Sequence, residues 1–405
     1  MCSSDLAQCK TLTWQLWGGW LSNMDDLKLR EEVLRCSQAS GFNDIVGGDR
    51  WASDNAPRYG LKHTLGTNFK PWCIDLAPYL KEHPDQRLIA QDGKADDALM
   101  CMTMLLGEGW KAAEEGIKVK LDAIRPNTYD YDYEYSPYNG PHSCYCPRCL
   151  AAFRQFAKLP ADTPLTPEVI RKTYSAQWVD FMCLRVAQMF AKFKETTHRL
   201  SPGTLFSAYS GYQTDDNPER YGVDWRHVGQ LQAVDRAGCG YGRPLEGIKA
   251  TVEGLKGLPL IGGALVVPYE TSVTSPQTPL NKGWLLRVLL DSPGGVLVYD
   301  RLTIDGRSWY AMAETTRLVA EYEQVFLKGK HSPIAGVDES QGEIVSDGKT
   351  TLVCVMNQSG KAATHRLTLP QAATAVEYYS KAKVTPGQAL EVTVEPGEAV
   401  VYVLK

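Results

Sequence analysis

Eight short runs of apolar and aromatic residues recur along most of the chain, each ending in glycine or polar residues: 14–20, 43–49, 61–68, 128–135, 205–212, 233–241, 260–270 and 296–302. Runs of this length and content read as strands. Helical periodicity fills much of the space between them, at 25–39, 100–116 and 166–200, with shorter stretches at 246–255, 280–290 and 309–327. Eight strand-then-helix units in series predict an α/β fold of the closed parallel kind, a (β/α)8 TIM barrel. The competing arrangement, an open doubly wound sheet, lacks the Gly-rich phosphate fingerprint after its first strand.

Beyond residue 327 the helical period stops, and 336–405 alternates apolar and polar residues at 351–356, 365–369, 376–379, 390–394 and 399–404. Asn357-Gln358-Ser359-Gly360 and Thr385-Pro386-Gly387 supply turns between these runs. The pattern predicts a small C-terminal antiparallel β-sandwich at 331–405 behind a catalytic barrel at 1–330. No chemical cluster lies in the tail, so it is expected to pack against the barrel.

Composition narrows the function. The net charge of −4 carries no long run of one sign, which argues against nucleic acid or an acidic membrane as partner. No apolar stretch approaches the roughly 20 residues needed to span a bilayer. The chain as given reads as soluble and cytoplasmic, or as exported if a signal has been removed from it. Ten Trp and twenty Tyr, many beside Gly, Asp or Asn, suit a carbohydrate partner stacked on aromatic faces. Assembly into a homo-oligomer is left open. The eleven cysteines are odd in number and do not form a disulfide framework.

In a barrel the chemistry gathers where strands end. The fourth strand reads Asn127-Thr128-Tyr129-Asp130-Tyr131-Asp132-Tyr133-Glu134-Tyr135. Side chains alternate along a strand, so Asp130, Asp132 and Glu134 share one face and the tyrosines the other. Like charges raise one another's pKa, and a carboxyl protonated near neutrality is what protonation of a glycosidic oxygen requires. Glu270, at the end of the seventh strand, is the candidate second carboxylate. Trp17, Trp20, Asp49, Trp51, Asn68, Tyr209, Tyr212, Tyr241, Asp300 and Arg301, at other strand ends, are candidates for holding sugar. Gly238-Cys239-Gly240-Tyr241-Gly242 is Gly-rich but has no Lys-Ser or Lys-Thr partner, so it is a poor phosphate cradle.

Cys144, Cys146 and Cys149 crowd together after the fourth strand, and Cys101 lies upstream at the start of a predicted helix. Four thiolates would make a closed tetrahedral zinc site with a structural role, with His142 a rival fourth ligand.

Glu134-Tyr135, Cys144-Tyr145-Cys146-Pro147-Arg148-Cys149 and Ala152-Phe153-Arg154 together resemble the acid/base and zinc-loop segment of glycoside hydrolase family 42, the clan A β-galactosidases. The resemblance implies Glu134 as acid/base, Glu270 as nucleophile of a retaining reaction, and Cys101, Cys144, Cys146 and Cys149 as zinc ligands. Tyr133 stands where that family has an Asn contacting the sugar 2-hydroxyl, and the family's intermediate domain is missing. Asp130-x-Asp132-x-Glu134-Tyr135 is also similar to the Asp-x-Asp-x-Glu strand of family 18 chitinases, with Asn127 at the position of their first Asp. That likeness implies a substrate-assisted N-acetylhexosaminidase, Asp132 orienting the acetamido group and Glu134 acting as the acid. A barrel that binds glycan without cleaving it is the non-catalytic alternative.

Overall fold

The computed structural model describes residues 8–67, 75–240, 245–265, 281–299 and 306–405. Barrel strands β1 to β8 are Thr13–Trp17, Asp44–Val46, Lys62–Thr67, Thr128–Asp132, Leu205–Gly211, Arg236–Gly240, Leu260–Leu265 and Gly295–Tyr299. They close in the order β1-β8-β7-β6-β5-β4-β3-β2, and all recorded pairings among them are parallel. Each predicted barrel run overlaps one of these strands, two of which, Thr13–Trp17 and Gly295–Tyr299, start one residue earlier than expected. The chain falls into two compact units, one of Met1–Ile45, Asn55–Leu61 and Ile261–Lys405, the other of Val46–Asp54 and Lys62–Leu260.

Local capping explains where the helices begin. Asp26 accepts from the Lys28 N–H at 2.9 Å ahead of α1, Leu27–Ala39. Thr166 accepts from Val169 N at 3.2 Å ahead of α2, Pro167–Thr173. The single helix expected at 166–200 is two, because Tyr174, with φ −121° and ψ 23°, interrupts the ladder before α3, Ser175–Leu200. The helix expected at 100–116 is likewise displaced. Cys101 is not helical, a short turn Met102–Leu105 follows, and the main helix Trp110–Ile124 starts only after Gly107 and Gly109. A hairpin of Arg87–Ile89 and Ala95–Met100, which the hydrophobic pattern did not indicate, precedes this segment.

The tail forms strands β9 to β16: Lys330–Pro333, Gly342–Ser346, Thr351–Met356, Ala363–Thr368, Ala375–Glu377, Lys383–Val384, Ala389–Val394 and Ala399–Leu404. One antiparallel sheet runs β9-β10-β11-β16-β13-β14, and β12 pairs with β15 in a second. Val353, Val355, Leu367, Val392, Val394 and Leu404 form the apolar core between them, so the tail is a β-sandwich. Arg287, on the helix Lys282–Asp291, donates to Glu343 of β10 at 2.9 Å and to the Glu339 carbonyl at 3.0 Å, tying the sandwich to that helix.

Candidate active site and metal centre

Strand β4 presents its side chains to two environments. Tyr131 stacks on Phe193 of α3 with ring centroids 5.5 Å apart, and Tyr133 meets Phe190 edge-on at 6.0 Å. Such aromatic pairs contribute about 0.5–1.5 kcal/mol each beyond burial. With the tyrosines committed to the helical layer, Asp130, Asp132 and Glu134 project to the inner face. Asp130 is 8% exposed and Asp132 6%, while Glu134, beyond the last strand residue, is half-buried. Tyr133 stacks on the buried ring of His142 at 5.3 Å on the helical side.

Beneath the strand end lies a polar layer. Ser207 of β5, in register with Asp130, donates its hydroxyl to Asp130 Oδ1. Arg236 of β6, in register with Ser207, is buried and donates to Thr64 Oγ1 at 2.9 Å. The next layer holds Asp132 in register with Tyr209, and Tyr209 in register with Gly238. Asp132 Oδ1 is buried with no hydrogen-bond partner among the described residues. Burial first, then the charge of Glu134, then that of Asp130, push its carboxyl up to about 9. A proton is therefore held within this group of carboxyls at neutral pH.

The glycines of β6 are explained by Tyr209. A methyl group at Gly240 would overlap the Tyr209 hydroxyl, and one at Gly238 would stand 2.9 Å from its Cδ2. The Gly-rich run clears room for a ring.

The other candidates are placed as follows. Trp17 stacks on Tyr299 with centroids 5.0 Å apart and an interplanar angle of 28°. Asp49 Oδ1 accepts from Ala52 N at 3.2 Å in the first turn of Arg50–Asn55, and Trp51 is half-buried on that helix. Tyr212 is buried in the core cluster that includes Tyr133 and Trp225. Asn127 Oδ1 accepts from His63 N at 2.8 Å, joining β3 to the start of β4. Asn68, Tyr241, Glu270, Asp300 and Arg301 lie outside the described residues, as does the Trp20 side chain. Ser207, Arg236 and Tyr299 were not singled out in the sequence. The first two are recoverable by stepping back two residues from Tyr209 and from Gly238.

Cys101, Cys144, Cys146 and Cys149 are buried and reduced, and their sulfurs all lie within 4.8 Å of one another. Cys101 Sγ is 3.3 Å from Cys146 Sγ and 3.4 Å from Cys149 Sγ. Four thiolates at about 2.3 Å from a tetrahedral zinc would be about 3.8 Å apart, so the donor set fits a structural metal after a small expansion. Cys101 follows the hairpin, and Cys146 caps the helix Pro147–Phe156, which carries Cys149 in its first turn. Ile89 N donates to Cys144 Sγ at 3.4 Å. His142 is not part of the set, and burial lowers its pKa to about 3. A second group, Asp180, Asp224 and His227, is engaged otherwise: Asp224 caps the helix Trp225–Leu231 and pairs with Arg226, and His227 shares a hydrogen bond with Asp180 at 2.6 Å.

No family model and no curated protein matches the chain by sequence. Solved structures do match by fold. The α-amylase of Geobacillus thermoleovorans, in complex with acarbose, superposes with a TM-score of 0.60 at 11% identity, over 97% of this chain and 99% of its own. The barrel has the fold of glycoside hydrolases. The galactosidase domain of an α-galactosidase-sucrose kinase matches with a TM-score of 0.58 at 13% identity, over 100% of this chain and 55% of that one. A GH36 α-galactosidase of Geobacillus stearothermophilus gives 0.56 at 10% identity, over 98% and 56%. The chain thus spans about half the length of these two α-galactosidases. Among the described residues no helix is long and apolar enough to cross a membrane.

Proposed function

We propose that the protein is a glycoside hydrolase with Glu134 as its acid/base. The observation that carries this reading is the close group of carboxyls at the end of β4, in which burial and the charge of Glu134 push the buried Asp132 up to about 9, so that the pair keeps a proton near neutral pH. A barrel that needs only to pack gains nothing from burying Asp132, whose Oδ1 has no partner among the described residues, because such burial costs free energy. Where a proton has to be delivered to a leaving oxygen, the same arrangement is useful. Glu134 is half-buried beyond the last paired residue, where a side chain can meet both substrate and solvent. Glu270 is the proposed nucleophile of a retaining mechanism, and carbohydrate the substrate class.

A second reading is favoured by the state of Asp132. A carboxyl that keeps its proton while Oδ1 has no partner among the described residues can engage the acetamido group of an N-acetylhexosaminide, whose own oxygen would then attack.

Hydrolysis of a panel of aryl α- and β-galactosides, α-glucosides and N-acetylhexosaminides, each with wild type and Glu134→Gln, tests the proposal. Turnover lost in Glu134→Gln supports it; glycan binding without turnover on any substrate refutes it. Azide rescue of Glu270→Gly identifies Glu270 as nucleophile. Cleavage confined to N-acetylhexosaminides, with Asp132→Asn inactive and Glu270→Gln active, selects the acetamido route.

A further inference from the structure

One arginine, Arg185, is linked to the four-cysteine cluster through a threonine. Arg185 of α3 donates Nη2 to Thr103 Oγ1 at 3.2 Å, and Thr103 Oγ1 lies 3.2 Å from Cys149 Sγ. A guanidinium only donates, so the Thr103 oxygen accepts from Arg185 and its single hydrogen is free to point at sulfur. With Cys149 ionised as a metal ligand, its Sγ would be an acceptor at the end of a relay from Arg185. Cys144 Sγ accepts from the Ile89 N–H.

Arg185 sits under a real cost. Its Nε is buried with no acceptor among the described residues. Its guanidinium also rests over the Phe181 ring, 5.5 Å from the centroid. A cation kept in such a place requires compensating negative charge. Four thiolates around a divalent cation would retain two negative charges, and Arg185 supplies a positive one behind Cys149.

We propose that Arg185, acting through Thr103, is a positioning residue that offsets the charge of the metal–thiolate unit and so sets its affinity for a divalent, thiophilic cation. The inference rests on the reading of the four cysteines as a metal site. Hydrogen bonds to ligating sulfur draw off electron density and fix ligand orientation, and loss of such outer partners typically weakens metal binding about 10–100-fold.

The test uses the full chain. Zinc affinity is measured by competition with a chromophoric chelator, and the cobalt(II)-substituted protein gives the thiolate-to-metal charge-transfer spectrum. Arg185→Met and Thr103→Val are expected to weaken zinc binding about 10–100-fold, and Arg185→Lys to recover part of the loss. Thr103→Val should also move the charge-transfer band to lower energy, which a packing defect alone would not do. Wild-type zinc affinity in Arg185→Met and Thr103→Val, with an unshifted cobalt spectrum, overturns the inference and leaves the metal site standing. A wild-type protein that takes up neither zinc nor cobalt overturns both. Thr103→Val is nearly isosteric, so its spectrum decides the matter if Arg185→Met does not fold.

Discussion

Glu134 follows Asp132 by two residues, just beyond the end of β4, and its charge is second only to burial in raising the Asp132 carboxyl to about 9. An unfolded Asp titrates at about 3.9. Between about pH 4 and 9 the folded chain therefore holds a proton that the unfolded chain has lost, and stability falls as pH rises through that window. Asp132→Asn removes this dependence. It should raise Tm by a few degrees at pH 8 and by much less at pH 4. Equal shifts at both pH values would mean that Asp132 is ionised in the folded protein.

Glu134→Gln should lower kcat by about 10²–10⁴-fold on substrates with poor leaving groups, the usual worth of a general acid. Aryl glycosides with acidic leaving groups need less protonation and should lose much less. A uniform loss across leaving groups, seen in a plot of log kcat against leaving-group pKa, would assign Glu134 to binding instead.

Elemental analysis should find one zinc per chain, and Cys146→Ser should abolish it. All four positions of the predicted site are thiols, so no place is left for a reactive water. A chelator is expected to lower Tm, on the order of 10 °C, before it changes kcat of protein that is still folded. Immediate loss of kcat at unchanged Tm would give the metal a catalytic role.

Gly240→Ala puts a methyl group where the Tyr209 hydroxyl lies, and its Cβ would stand 2.9 Å from Tyr209 Cζ. The expected destabilisation is about 1–3 kcal/mol by denaturant unfolding. Tyr209→Phe removes the nearest atom of the clash, so the double variant should recover part of the loss. Strict additivity of the two changes would show that the ring does not occupy that space in solution.

Much of the architecture follows from local period. The alternation at 128–135 places three acids on one face and four tyrosines on the other, and Tyr131 and Tyr133 do pack on Phe193 and Phe190. The tail runs at 351–356 and 399–404 are strands over the same residues. The interruptions were harder to read. The break at Tyr174 and the late start at Trp110 depend on backbone geometry and close packing, such as Met100 against Gly109, that periodicity does not encode.

The sequence by itself determined the count and kind of repeating units, the clustering of Cys144, Cys146 and Cys149, and the shared face of Asp130, Asp132 and Glu134, because all three depend on neighbours a few residues apart. Tertiary structure decided which groups those residues meet. It brought Cys101 to within 3.3 Å of Cys146 across a separation of 45 residues, and it set Arg185 and Thr103 behind Cys149. It also paired Asp130 with Ser207 and left Asp132 buried beside two charges. Protonation state and metal affinity follow from dielectric and distance, and the folded chain sets both through strands and helices remote in sequence.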